Sequence, residues 1–204
     1  MKQLLLGNEA IALGALQAGV HLVTGYPGTP STEVLETIAV HKSRAVYVEW
    51  SVNEKVALEV AAGASYTGAR SLVTMKQVGL NVASDPGPFS SQTEQDTRHF
   101  ARFANLPVLD PSSPQEAYEM VQYAFELSEL VKLPVLLRPT TRICHSSSTI
   151  VVTEGPRSVH EIEGFIKSPE WVIFPSLSYR KHIQLEQLQV ELSRMFSESE
   201  LNRS

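Results

Sequence analysis

The chain has 204 residues, 43% of them hydrophobic, which is enough for one domain with a hydrophobic core and a C-terminal extension. Its formal net charge is −5, with acidic and basic residues mixed throughout, so it lacks the cationic stripe that binds a nucleic-acid backbone. No apolar run approaches the roughly twenty residues that cross a bilayer, and the start MKQLLLGNEA is too short for a secretory signal, so we expect a cytoplasmic protein.

Helical and extended segments alternate from the first residues onward, which predicts an α/β fold with a parallel sheet flanked by helices. Asn8 can cap a first helix, and 21–25 has the short apolar pattern of a buried strand. The turn 26–31, Tyr-Pro-Gly-Thr-Pro-Ser, follows this strand. With Thr29 as N-cap and Pro30 at the first helical position, the next helix is predicted to begin inside this turn.

The middle of the chain repeats this alternation before the pattern weakens. Strands are predicted at 45–48 and 70–76, and a helix of small residues at 53–67 separates them. Between 77 and 96, Gly, Asn, Ser, Asp and Pro accumulate, so no further strand is predicted there.

Regular structure is predicted again near residue 94, and we expect the sheet to close near residue 138. The expected elements are a helix at 94–104, a strand at 107–109, a helix from the cap Ser113 to about residue 130, and a strand at 134–138. We assign 1–150 to one domain and 151–204 to an extension or linker with a helix from Arg180. Apolar residues at helical spacing indicate a partner surface on that helix: Ile183, Leu188, Leu192 and Met195.

The turn 25–31 joins a strand to a helix, where free backbone N–H groups and the positive helix end favour an anion. It matches neither a Walker A loop nor the G-x-G-x-x-G fingerprint, so it does not indicate a nucleotide. A plain helix-start turn explains it as well. An anion-binding α/β module that uses Thr29 is one function that remains open.

Glu54 follows Ser51 by three residues, and Ser-x-x-Glu before an apolar helix is typical of a capping box in which the carboxylate accepts from the Ser51 N–H. Alternatively, a carboxyl group at the carboxyl edge of a sheet points into the crevice where α/β proteins bind ligands. Spacing alone favours the cap, and Glu49 is a weaker candidate.

Two further segments allow either a structural or a ligand-binding interpretation. Gln77 and Asn81 flank Gly79, where a ligand could approach the backbone, although Gly and Asn are ordinary loop residues. Arg98 and Arg102 are four residues apart on a predicted helix and form either a solvated face or a carboxylate clamp.

Arg138 and Arg142, near a predicted strand end, allow the same two interpretations. The single cysteine, Cys144, excludes an internal disulfide and cannot hold an iron–sulfur cluster, which needs about four thiolates. With His145 it forms no complete ligand set, so we expect no metal to be bound by this chain alone.

Six consecutive segments carry a family resemblance: GNEAIALGALQAGV, GYPGTPS, EWSVNEKVALEVAAGAS, LVTMKQVGLNVASDP, SSQTEQDTRHFARFANLPVLDPSSPQEA and PVLLRPTTRICH. In this order they resemble the N-terminal pyrimidine-binding domain of indolepyruvate:ferredoxin oxidoreductase alpha subunits. The resemblance covers residue 4 to about residue 145. It implies an enzyme that oxidatively decarboxylates aryl 2-oxoacids to acyl-CoA, with ferredoxin as electron acceptor.

The resemblance also implies a cofactor and the residues that bind it. In this family, and in the related pyruvate:ferredoxin oxidoreductases, a glutamate at the position of Glu54 hydrogen-bonds N1′ of the aminopyrimidine of thiamine diphosphate and favours its imino tautomer. The matching cofactor-binding residues are Tyr26, Pro27, Gly28, Glu54, Gln77 and Asn81. For the 2-oxoacid substrate, the resemblance implies Thr29 together with Arg102 or Arg98.

The rest of such an enzyme is expected elsewhere. The resemblance implies that another domain or chain holds Mg²⁺ and the cofactor diphosphate, and that iron–sulfur clusters occur in the complete subunit. It further implies a beta subunit, ferredoxin and a dimeric assembly. We therefore expect the isolated chain to be inactive.

The chain departs from the family pattern at one internal point. Asp85-Pro86 runs directly into Gly87-Pro88, where the family has the rest of a helix, a glycine pair and an apolar strand. We therefore expect an internal deletion after Pro86 and one missing sheet strand. A non-catalytic remnant or assembly module of the same family is the alternative function.

Overall fold

A computed structural model describes residues 1–76, 79, 97–153 and 160–202. The strands are β1 (Lys2–Leu6), β2 (Leu22–Gly25), β3 (Tyr47–Trp50), β4 (Ser71–Thr74), β5 (Val108–Leu109), β6 (Leu136–Leu137) and β7 (Ser147–Val151). The α-helices are α1 (Gly7–Gln17), α2 (Thr32–His41), α3 (Glu54–Ser65), α4 (Thr97–Ala104), α5 (Pro114–Val131), α6 (Thr141–His145) and α7 (Pro175–Ser197). In these residues, no helix is long and apolar enough to cross a membrane.

The predicted α/β class is confirmed, with parallel strands flanked by helices. β2 lies between β3 and β4, and all three run parallel. Their last residues are in register, because Gly25 is paired with both Trp50 and Thr74. β5 and β6 form a second parallel pair, and β1 pairs with β7 in the antiparallel sense.

One hydrophobic core lies on one face of the parallel strands and is shared by the two parallel sheets. Helices α1, α2 and α5 supply most of its buried side chains. Val23 of β2 is completely buried in this core, and Leu72 of β4 and Leu137 of β6 pack against it. The two sheets are therefore joined by side-chain packing, which is the main source of their mutual stability.

Helix α3 covers the opposite face of the three-stranded sheet. Side chains alternate along a strand, so Thr24 faces away from the core that holds Val23. The Thr24 hydroxyl donates to the carbonyl oxygen of Ala57 at 2.8 Å. Ala57 and Ala61 are buried, and these small side chains allow α3 to lie close to the sheet.

The predicted starts of α1 and α2 differ from the structure. α2 begins at Thr32 with Ser31 at the N-cap position, not at Pro30 with Thr29 as N-cap, because a tight turn in which the Ser31 N–H donates to the Gly28 carbonyl precedes it. α1 begins at Gly7, and the Glu9 carboxylate accepts from the Leu6 N–H at 2.8 Å. Asn8 is therefore inside α1 and is not its cap.

Two strands and one α-helix were not predicted: β1, β7 and α6. β1 and β7 bring the start of the chain to residues 147–151, and the Val152 N–H donates to the Met1 carbonyl at 2.8 Å. Beyond β7, the Gln17 side chain donates to the Thr153 carbonyl. The division into 1–150 and 151–204 stays a prediction.

The C-terminal segment contacts the preceding part of the chain at several places. Trp171, in a short 3₁₀ turn at Pro169–Trp171, lies 4.7 Å from Tyr66 between ring centroids. α7 begins at Pro175, five residues before the predicted start, because proline fits the first turn of a helix. The Gln189 side chain of α7 donates to the Asn105 carbonyl at 3.1 Å. The expected deletion point at 86–87 lies outside the described residues.

Candidate functional site

Three chain segments meet at the carboxyl edge of the three-stranded sheet, where the strands end in register. A Cβ atom on Gly25 would lie 2.6 Å from the Thr74 carbonyl oxygen and 3.2 Å from Cζ3 of Trp50. A Cβ atom on Gly28 would lie 2.7 Å from Cβ of Lys76. The last residues of β2, β3 and β4, and the segments after β2 and β4, are therefore in direct contact, and glycine is needed at 25 and 28 for this approach.

Glu54 is the first residue of α3 and projects from this edge. The helix cap is Asn53, whose side-chain oxygen accepts from the Val56 N–H at 2.8 Å. The Ser51 N–H instead donates to the Gly25 carbonyl at 2.8 Å. The predicted capping box between Ser51 and Glu54 is wrong, because sheet pairing already satisfies the N–H that the carboxylate was expected to cap.

The Glu54 side chain is half-buried and lies against the backbone of Gly79. A Cβ atom on Gly79 would lie 2.6 Å from Cδ of Glu54 and would also overlap Cγ and Oε1. Gly79 follows β4 in a turn in which its N–H donates to the Lys76 carbonyl at 2.9 Å. The carboxylate is thus placed between the first turn of α3 and the segment after β4.

The backbone donors of the 26–31 turn are largely engaged within the protein. The Gly28 N–H donates to the Thr32 hydroxyl at 2.9 Å, and the Tyr26 N–H donates to the Thr74 carbonyl at 3.3 Å. At the start of α2, Glu33 supplies a carboxylate, which complements the positive helix end and accepts from the Asn8 side chain at 2.9 Å. This geometry does not favour a free anion at the turn.

Glu49 at the end of β3 is also engaged within the protein. Its carboxylate accepts hydrogen bonds from the hydroxyls of Tyr47 and Ser51. The hydrogen bond that Tyr47 donates to Glu49 and, to a smaller extent, the negative charge of Glu49 raise the pKa of Tyr47 above its usual value. Glu49 therefore orders the edge strand and is less suited than Glu54 to contact a ligand.

The residues predicted to bind cofactor or substrate are brought together only in part. Tyr26, Pro27, Gly28, Thr29 and Glu54 all belong to the segments that meet at this edge, and the Thr29 side chain is exposed. Gln77 and Asn81 lie outside the described residues.

The two candidate arginines are on α4. Arg102 is exposed, and none of the contacts described for the chain joins it to Glu54 or to the turn. For Arg98, only the helical backbone is described. The choice between them stays open.

Three residues at this edge were missed by the sequence interpretation: Trp50, Thr74 and Lys76. Thr74 is 6% exposed, and its buried hydroxyl oxygen has no hydrogen-bond partner in the described structure. An unsatisfied buried hydroxyl is costly and suits a ligand that supplies a partner. The register of the strand ends was the signal that could have identified these residues.

Arg138 follows β6 and is buried, with 6% of its surface exposed. Its Nη2 lies 3.4 Å from the Asp110 carboxylate, whereas Nε and Nη1 have no partner in the described structure. Arg142 is exposed on α6. The described residues contain no group of three His, Cys, Asp or Glu side chains that could hold a metal ion.

Comparison with known proteins gives matches to a family model, to curated relatives and to a solved structure. A family model described as pyruvate flavodoxin/ferredoxin oxidoreductase, thiamine diphosphate-binding, matches residues 13–85. Indolepyruvate oxidoreductase subunit IorA of Methanothermobacter thermautotrophicus is 46% identical over 226 residues, covering 99% of this chain and 36% of that protein. Subunit IorA of Thermococcus kodakarensis is 49% identical over 178 residues, covering 76% of this chain and 28% of that protein.

The alignment with the first relative is longer than the part of this chain that it covers. The chain spans about a third of the curated relatives. In the first alignment, 99% of the chain is about 202 residues, so about 24 of the 226 aligned positions are gaps in this chain. This shortfall is consistent with the expected internal deletion.

A solved structure has the same fold. It is a 2-oxoglutarate:ferredoxin oxidoreductase from Magnetococcus marinus with 2-oxoglutarate, coenzyme A and succinyl-CoA bound. The TM-score is 0.71 at 18% identity, over 95% of this chain and 45% of that one. At this identity the match shows the fold alone.

Proposed function

Because this chain belongs to the family of indolepyruvate oxidoreductase subunits IorA, of which it spans about a third of the length, we propose that it activates thiamine diphosphate in a 2-oxoacid oxidoreductase. The complete enzyme would oxidatively decarboxylate aryl 2-oxoacids such as indolepyruvate to acyl-CoA and pass the electrons to ferredoxin. The observation that carries this proposal is the Glu54 carboxylate, which has no capping role and projects at the carboxyl edge of the sheet.

The residues at this edge fit an aminopyrimidine ring. Such a ring needs a carboxyl group at N1′ and further polar partners in a partly buried site. Glu54 is half-buried, and the orphaned Thr74 hydroxyl is a free donor and acceptor at the same edge. Tyr26 is 40% exposed and can cover one side of a flat ring.

Thiamine diphosphate, when bound, supplies a nucleophilic carbon that adds to the keto carbon of the 2-oxoacid. The role proposed for Glu54 is to hold a hydrogen bond to N1′ and so set the protonation of the ring. Thr29, exposed on the adjoining turn, contacts the substrate, and Arg102 or Arg98 binds its carboxylate. A guanidinium suits a carboxylate because it can donate two parallel hydrogen bonds.

Other parts of the assembly supply the remaining components. In this proposal, another domain or chain holds Mg²⁺ and the cofactor diphosphate, and the iron–sulfur clusters belong to the complete subunit. A beta subunit, a dimeric assembly, ferredoxin and a cytoplasmic location complete the proposal. The isolated chain would then supply only one part of the cofactor site and would have no activity of its own.

The experiment compares Glu54→Gln with unmodified protein in the assembled enzyme. Loss of the carboxyl group should lower turnover by at least about 100-fold, the range for a lost acid–base group, and should weaken cofactor binding in calorimetry. Glu59→Gln is the matched control, because Glu59 is exposed on the same helix and its ion pair in the described residues is with exposed Lys55 at 3.8 Å. Full activity of Glu54→Gln would contradict the proposal.

A non-catalytic remnant or assembly module is the second candidate. The observation that favours it is the arrangement of the described parallel strands in two separate sheets, together with about 24 gapped positions against the first relative. If the assembled protein binds no Mg²⁺–thiamine diphosphate at all, this alternative replaces the catalytic proposal.

A further inference from the structure

The contact between Gly79 and Glu54 joins two segments that are distant in the sequence. Glu54 begins α3, directly after β3, whereas Gly79 belongs to the turn after β4, and β2 lies between β3 and β4 in the sheet. The space that a side chain at 79 would fill is already taken by Cγ, Cδ and Oε1 of Glu54. Cγ, Cδ and Oε1 of the Glu54 side chain therefore lie directly beside the Gly79 backbone.

We propose that Gly79 is a positioning residue that holds the Glu54 carboxylate in the orientation needed for the cofactor ring. This inference rests on the proposed function and adds a residue to its machinery. Gly79 has no side chain to contact a ligand, so it acts only through Glu54. The role requires the absence of a Cβ atom, and its conformation is fixed by the hydrogen bond from its N–H to the Lys76 carbonyl.

The surroundings of Glu54 explain why the Gly79 backbone is needed to hold the Glu54 side chain in one position. Glu54 is at the first position of α3, so no preceding helical turn restricts its side chain. Neighbouring side chains on α3 do not restrict it either, because Ala57 points into the sheet and Leu58 is 48% exposed. A long side chain at a helix start would otherwise sample several rotamers, and catalysis needs one of them.

The turn that contains Lys76 and Gly79 also contacts the segment of the proposed substrate-binding residue Thr29. The Lys76 side chain lies across Gly28, next to Thr29. Lys76 and Gly79 are joined by a hydrogen bond within one turn. The turn that contains Gly79 is held in place by the contact of Lys76 with Gly28. A side chain at 79 would overlap the Glu54 side chain, so Glu54 is the group that must move.

The test is a double-mutant cycle of Gly79→Ala and Glu54→Gln in the assembled enzyme, with Gly63→Ala as the matched control. Gly63 is on α3, and a Cβ atom there would meet no atom within 4 Å. We expect Gly79→Ala to lower kcat about 10- to 100-fold, less than complete loss of an acid–base group, with the substrate KM changed less than threefold. Gly63→Ala should keep both values within twofold.

The decisive outcome is coupling in the cycle. If Gly79 acts through Glu54, adding Gly79→Ala to Glu54→Gln causes no further loss of kcat or of calorimetric affinity for Mg²⁺–thiamine diphosphate. Independent losses that multiply would show a general packing defect and would overturn the proposal. So would a Gly79→Ala enzyme with kcat and cofactor affinity equal to those of Gly63→Ala.

A crystal structure of the Gly79→Ala chain gives a readout without cofactor. The Glu54 carboxylate should be displaced by about 1 Å or more relative to the α3 backbone, because the new Cβ–Cδ distance would otherwise be 2.6 Å. An unmoved carboxylate contradicts the inference. The proposed function fails separately, when Glu54→Gln alone leaves activity intact.

Discussion

Thr24 is completely buried, and its hydroxyl is the polar connection between β2 and α3. This contact fixes the height of α3 on the sheet near its first turns, and so the position of Glu54 relative to the strand ends. A strand-centre threonine in a sheet is usually explained by β-propensity alone. Here the hydroxyl has a specific partner on the covering helix.

We predict that Thr24→Val lowers the free energy of unfolding by about 1 kcal/mol. Valine keeps the shape and strand propensity of threonine but cannot donate to the Ala57 carbonyl, so the loss is that of one buried hydrogen bond. Thr149→Val, at an exposed position of β7, is the control and should change stability by less than about 0.5 kcal/mol. Urea denaturation of both variants measures the difference, and equal midpoints would contradict the prediction.

At the residue scale, local sequence could identify Glu54 as notable but could not assign its role. Ser51 and Asn53 are both good helix caps, and Ser51 matched the capping-box spacing. The structure uses Asn53 because the Ser51 N–H is taken by the Gly25 carbonyl. That bond depends on the pairing of β2 with β3, which no local pattern contains.

Helix α5 and strand β4 are joined by an ion pair at the end of the sheet opposite to Glu54. Arg70 precedes β4, and its Nε and Nη2 donate to the two carboxylate oxygens of Glu129 at 2.6 and 2.7 Å. The hydrogen bonds from Arg70 hold the pKa of Glu129 below its usual value, with a smaller opposing effect of burial. His160 of the C-terminal segment lies 3.5 Å from the same carboxylate.

This pair predicts a specific pH dependence. A carboxyl group whose folded pKa is lowered contributes stability that is full above the unfolded pKa, near 4.5, and is lost as the pH falls through the folded pKa. Glu129→Gln should therefore destabilise the chain near neutral pH, and the difference from the unmodified chain should shrink below pH 4.5. Added salt should also reduce this difference in stability, because Glu129 is partly exposed and salt screens its charge.

Glu126→Gln is the matched control, because Glu126 is exposed on the same helix. Thermal unfolding from neutral to acidic pH measures both variants against the unmodified chain. A Glu129→Gln difference that is independent of pH, or that grows on acidification, would show that the pair does not contribute in this way.

At the scale of elements, the predicted order of the parallel strands and their helices is confirmed, whereas β1 and β7 were missed. Local periodicity identifies β2 and β4 because each is a short apolar segment beside a turn. β1 is defined by its pairing with β7, which is more than 140 residues away. The five residues of α6 are too few for a helical period to be visible.

At the scale of the whole molecule, the described parallel strands form two sheets but share one core. The deletion predicted from the sequence leads to the expectation of an unpaired edge and an exposed part of the core. In the described residues, Val23, Leu72 and Leu137, from both parallel sheets, pack with α1, α2 and α5. Among the described strands, backbone pairing does not run from one parallel sheet to the other, whereas the side-chain packing of the core does.

We therefore predict that the isolated chain unfolds in one cooperative transition. A shared core couples the two sheets, so neither can lose its packing while the other keeps its own. Far-ultraviolet circular dichroism and the fluorescence of Trp50, isolated by Trp171→Phe, should give the same urea midpoint. Leu16→Ala, at a core position 2% exposed, should shift both signals together and lower stability by about 2–5 kcal/mol. Separate midpoints would mean that the two sheets are independent units, and Glu54 would then stand on a part of the chain that the β5–β6 pair does not stabilise.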